Sequence, residues 1–94
     1  MVKQILFPLE QIEHIARHGV TPEEFRQVCL NPQTMRLRMN SRGANPGYIY
    51  LGTTAAGKYL MCAMIEFPDG NGFPITARPM TTAERQRYRR WSFR

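Results

Sequence analysis

Leu9, Ile12, Ile15 and Ala16 recur at intervals of three to four residues, which places them on one face of a helix. The segment Lys3-Gln4-Ile5-Leu6-Phe7 before them reads as a short strand leading into Pro8, a residue suited to the first turn of a helix. Gly19, directly after His18, is a natural stop. A second helix is signalled by Thr21-Pro22-Glu23-Glu24: a capping hydroxyl, proline at the first helical position and glutamate at the third, which together make a capping box. Phe25, Val28 and Cys29 form its apolar face, and Asn31-Pro32 ends it. The pattern therefore predicts a helical hairpin over residues 9–18 and 22–30, joined by the tight turn His18-Gly19-Val20-Thr21.

After Pro32 the period changes to two. Met35, Leu37 and Met39 alternate with Arg36 and Arg38, as on a half-exposed strand. Residues 40–47 are loop by composition, 48–51 a second strand, and 53–57 a turn. Residues 58–67 are apolar on both faces apart from the ends, so this strand is expected at the centre of a sheet covered on both sides. Pro68-Asp69-Gly70-Asn71-Gly72 is a hairpin turn, and residues 73–78 return as a strand in which Pro74 implies an edge or a strand start. Thr81 and Glu84 make a second capping box, with Met80 as a candidate hydrophobic staple, opening a helix over 82–91. The expected fold class is α+β: an antiparallel β-sheet meander of three or four strands, an N-terminal helical hairpin packed on it, and a basic C-terminal helix.

The chain of 94 residues shows no internal repeat and no linker, so residues 1–94 read as a single domain. A hydrophobic content of 43% argues against disorder. The longest apolar run, Tyr59 to Ile65, falls far short of the roughly 18 residues needed to span a membrane. The opening Met-Val-Lys-Gln lacks an export pattern, so a cytoplasmic location is expected. Cys29 and Cys62 lie in apolar patterns on different elements and read as buried free thiols, with a disulfide or a metal pair as the alternatives.

Charge changes the picture most. The formal net charge is +6, and residues 78–94 alone hold six Arg against one Glu. A basic helix interleaved with aromatics is an electrostatic footprint for phosphates, which points to nucleic acid or an acidic protein as partner.

The ordered set Ile15-Ala16-Arg17-His18-Gly19-Val20-Thr21-Pro22-Glu23-Glu24-Phe25, then Asn31-Pro32, Gly57-Lys58-Tyr59-Leu60, Ile75-Thr76-Ala77-Arg78 and finally Glu84-Arg85 with Tyr88 resembles the BrnT-like toxins. These are small ribonucleases of type II toxin–antitoxin systems in the RelE-like superfamily. The match runs through nearly the whole chain in order, although each motif is short. Three positions depart from the family pattern: Ile5-Leu6-Phe7-Pro8 replaces the usual aromatic-Asp start, Thr76 the usual serine, and the loop at 40–47 is basic and glycine-rich. The resemblance implies a metal-independent endoribonuclease toxin, with RNA and a cognate antitoxin protein as partners. The competing reading is a non-catalytic small basic domain that binds nucleic acid or protein, a decayed toxin-like module.

Metal-free RNA cleavage by 2′-hydroxyl attack needs a base, a cation on the phosphorane and an acid for the leaving oxygen. Arginine suits the cation because its planar fork grips phosphate oxygens in pairs. Arg78, at the end of a strand where the resemblance places the family's arginine, is the first choice; the plainer alternative pairs it with Glu66 across the hairpin. Arg85 and Tyr88 share a helix face and, with Lys58, can complete a phosphate pocket. His18 sits where a helix dipole favours imidazolium, as a general acid or simply as a cap. His14, four residues earlier on the same face, reads as surface. Arg87, Arg89, Arg90 and Arg94 read as a solvated basic face able to bind RNA or antitoxin, and Tyr88 and Trp91 as either core or base-stacking groups. Glu23, Glu24 and Glu84 are cap and dipole residues, which leaves no evident carboxylate base. Neither a zinc-spaced Cys/His cluster nor a nucleotide-cradling glycine loop occurs, so no cofactor is expected.

Overall fold

In the computed structural model, which describes residues 2–39 and 43–93, the chain runs β1 (Gln4–Ile5), α1 (Leu9–Ala16), α2 (Pro22–Cys29), β2 (Met35–Arg38), β3 (Gly47–Thr53), β4 (Tyr59–Glu66), β5 (Asn71–Pro79) and α3 (Thr82–Ser92). Residues 40–42 of the expected loop and Arg94 of the basic tail lie outside the described residues. Both capping boxes form: Thr21 Oγ1 accepts the Glu24 N–H while Glu24 Oε1 accepts the Thr21 N–H, and Thr81 and Glu84 repeat the exchange. α1 stops short of His18 and is closed by Gly19 at φ +76°, where the Val20 N–H reaches Ile15 O and the Gly19 N–H reaches Ala16 O. His18 therefore stands in the closing turn rather than on the regular helix.

The strands form one sheet in the order β1-β5-β4-β3-β2, so the doubly apolar β4 is its central strand, as its composition requires. The sheet differs from the expected antiparallel meander of three or four strands. It has five strands among the described residues, and β1 pairs parallel to β5 through Gln4 opposite Asn71 and Ile5 opposite Gly72. The apolar pattern marked a short strand at the N-terminus but carried no information on its partner. The parallel match is reached only after the chain has passed through both helices and three strands. β3 also starts earlier and ends later than expected, because the ladder continues through Gly47 opposite Ile65 and Thr53 opposite Tyr59. Ile75 is squeezed out of register between Ala63 and Met64, and Pro74, which has no N–H to give a ladder, stands beside that bulge.

β4 separates two cores. Leu60, Cys62 and Met64 face Ile15, Val20, Phe25, Val28 and Cys29 of the helical hairpin. Met61 and Ala63 face the other way, where Met80, Tyr88 and Trp91 pack over Met35 and Leu51. The alternation of side chains along one strand thus places the α1–α2 hairpin on one face and α3 on the other. Cys29 and Cys62 are both buried thiols of the first core, and burial pushes the Cys29 thiol up.

Candidate nucleic-acid interface

α3 follows β5 after only Met80 and Thr81, so the end of the sheet and the start of the helix form one corner. Arg78 occupies that corner. Its Nη1 donates to Glu84 Oε1 at 2.7 Å and its Nη2 to Glu84 Oε2 at 3.0 Å, a two-pronged pair, and Nη1 also reaches Pro79 O. The partner is thus Glu84, not Glu66 as the cross-hairpin alternative had it. Glu84 does more than cap: the Arg78 guanidinium, and after it the Thr81 cap, hold its carboxyl below the usual range. A carboxylate fixed beside an arginine is the element that the sequence did not reveal.

One turn along the helix, Arg85 lies over the Tyr59 ring at 4.1 Å from its centroid. Tyr59 meets Tyr88 edge-on at 6.0 Å, and Tyr88 stands 6.2 Å from Trp91. Tyr88 and Trp91 both pack onto the second core, so their main employment is docking α3. Arg85 and Lys58 line one shallow depression of ≈ 330 Å³ with Tyr59, Pro79 and Met80. Arg78 and Glu84 immediately precede two of those lining residues in sequence but do not line it themselves.

Lys58 is tied elsewhere as well. Its Nζ pairs with Glu24 at 2.8 Å and donates to Gly19 O at 3.1 Å, bridging the β3–β4 turn to the α1–α2 turn. Lys58, then the Thr21 cap, hold the Glu24 carboxyl below its ordinary value. His18 stands exposed beside Gly19, and its ring meets that of His14 at 5.6 Å. His14 departs from the surface reading: it is half-buried, with Nε2 2.9 Å from Thr76 Oγ1 on β5. Arg87, Arg89 and Arg90 are exposed on α3, and none pairs with an acidic group among the described residues.

The structure therefore gathers Lys58 and Arg85 in one depression, sets His18 at the turn that Lys58 grips, and holds Arg78 at the adjoining corner. It also assembles a group that the sequence reading missed. Arg36, Tyr50 and Glu66 meet on the hairpin side of the sheet, and only the register, with Arg36 opposite Tyr50, brings them together. No group of three or more His, Cys, Asp or Glu among the described residues is arranged to hold a metal ion. No described helix is long and apolar enough to cross a membrane. In comparisons with known proteins, the chain matches no family model and no curated protein.

The two depressed carboxylates have a consequence for stability. Both Glu24 and Glu84 titrate below the ordinary glutamate value in the folded chain, so it binds fewer protons than the unfolded chain as pH falls toward that value. Their contribution is fully present above that value and is lost as pH drops through the lowered folded values. Glu84→Gln should lower the melting temperature at neutral pH, and its gap to the unaltered protein should close progressively below about pH 5. Thermal melts across that range check this; a gap that widens on acidification would reverse the assignment.

Proposed function

We propose that this chain is a metal-independent endoribonuclease of the toxin type, acting on RNA at the corner between β5 and α3. The observation that carries the reading is the juxtaposition of the Arg78–Glu84 pair with the depression lined by Lys58 and Arg85, next to the exposed arginines of α3. Arginine supplies charge for a phosphorane, Glu84 supplies the ionised carboxylate that a base requires, and the α3 cations hold flanking phosphates. The resemblance to BrnT-like toxins supplies the substrate class and an antitoxin as second partner. An acidic segment of that antitoxin fits the same basic face by charge.

A second reading, a non-catalytic basic binding module, draws on one specific observation: Arg78, Lys58 and Arg85 each already have an internal partner. End-labelled RNA incubated with purified protein in EDTA separates the two. Cleavage giving 5′-hydroxyl and 2′,3′-cyclic phosphate ends supports the ribonuclease; tight binding with intact RNA supports the module. Under the first reading Arg78→Ala should lower the cleavage rate about 10²-fold or more. Its half-exposed ion pair is worth only about 1 kcal/mol of stability or less, so the fold should survive.

A further inference from the structure

Opposite the α3 face, beyond the C-terminal end of α2, lies a cavity of ≈ 320 Å³, within the size range of small-ligand sites. One wall is apolar, built from Val2, Cys29, Leu30 and Pro32. Leu30 is 45% exposed, so its side chain is open to an incoming ligand. The other wall is polar and tightly organised. Arg36 Nε and Nη2 donate to the two oxygens of Glu66 at 3.1 and 2.8 Å, and the Tyr50 hydroxyl donates to Glu66 Oε2.

Two members of this wall, Arg36 and Glu66, keep unused capacity. Arg36 commits Nε and Nη2 and leaves Nη1 without a partner among the described residues. One face of its guanidinium is covered by the Tyr48 ring at 3.6 Å, and its side chain remains 46% exposed. Arg38 stands two residues on along β2, exposed and on the same face but outside the cavity lining, as a neighbouring second cation. A carboxylate offers about four acceptor positions, and the three bonds to Glu66 leave one on Oε1. Burial, and the Glu66 carboxylate it faces, push the Tyr50 phenol up, so it remains a donor to Glu66 at neutral pH.

An apolar wall, a partly free guanidinium and one remaining carboxylate acceptor suit a ligand with an apolar ring, an anionic group and an amino donor. We propose that this cavity binds one nucleotide: its phosphate on Arg36 with Arg38, its base against Leu30 and Pro32, and a base amino group on Glu66. The occupant is either a free nucleoside monophosphate or one unit of an RNA strand. In the second case the inference rests on the RNA reading above, and the cavity becomes a base-selecting subsite. β2 is the edge strand and α3 packs against β2 and β3, so a strand held on α3 has only that edge to round. Uracil, which lacks an amino group, should be the poorest base.

Isothermal titration with the four nucleoside 3′-monophosphates, and separately with a single-stranded RNA decamer, tests this on the full chain. AMP, GMP and CMP should bind, UMP about tenfold more weakly, and inorganic phosphate more weakly than any of them. Arg36→Ala should weaken all four about tenfold or more. The isosteric Glu66→Gln should retain binding and narrow the preference against UMP. Melting curves identify variants that fail to fold. Should Arg36→Ala unfold, Leu30→Asp at the exposed rim replaces it and should weaken mononucleotide binding comparably. Decamer binding without any mononucleotide binding, or mononucleotide binding indifferent to Arg36 or Leu30, overturns the cavity and leaves the RNA reading standing. Mononucleotide binding without decamer binding or cleavage supports the cavity and removes the RNA reading.

Discussion

Replacing Arg85, Arg87, Arg89 and Arg90 together by glutamine should lower affinity for single-stranded RNA roughly 10³-fold at about 0.1 M salt. Each phosphate contact on a single strand contributes about −0.7 to the slope of log K against log salt, so four lost contacts remove nearly 3 from it. Glutamine has nearly the helix propensity of arginine, so α3 should persist. The contacts that dock it, Tyr88 and Trp91 on the second core, remain untouched. Among the described residues only Arg85 of the four has an internal role, over Tyr59, and that stacking is worth about 1 kcal/mol at an exposed site. Fluorescence anisotropy of a labelled RNA between roughly 50 and 200 mM salt reads both quantities. Affinity that is flat with salt, or that survives the fourfold change, would reduce the basic helix to a solubilising surface. The same variant should bind an acidic antitoxin segment less well, since the two polyanions compete for one face.

Phe25→Ala should be the most damaging single truncation for stability. Phe25 is fully buried between α2 and the sheet, and it meets Phe7 edge-on at 5.5 Å. The chain over that ring is fixed by a capped helix on one side and a five-stranded sheet on the other, so the site cannot collapse to fill the hole. Phe→Ala at such positions costs about 3–5 kcal/mol, and for a domain of this size each kcal/mol moves the melting temperature about 4–8 °C. A fall of at least ~12 °C is therefore expected. Leu9→Ala, at a side chain that is 69% exposed, serves as the control and should change stability by no more than about 0.5 kcal/mol. Equal melting temperatures for the two variants would mean that the hairpin does not bear on the sheet as described.

What the sequence determined by itself is whatever depends on neighbours within one turn or one strand. The capping boxes at Thr21–Glu24 and Thr81–Glu84 were legible because donor and acceptor lie three residues apart, so no tertiary fact is needed to join them. Gly19 was legible as a helix stop because a positive φ is open to glycine at little cost. The double apolarity of residues 58–67, apart from the ends, marked the central strand, since only burial on both faces can use it. The basic character of α3 is likewise a property of composition. What the tertiary structure decided is who meets whom across long separations. Arg36 and Glu66 are 30 residues apart, and His14 and Thr76 are 62 apart. Lys58 reaches Gly19 across 39 residues, and β1 finds β5 in parallel from the far end of the chain. Each of these depends on strand register and on which face a helix covers. A shift of one residue would turn Arg36 and Glu66 to opposite faces without altering the local pattern of either segment. Charge and periodicity therefore located the cations of this protein, while strand register and helix packing chose their partners.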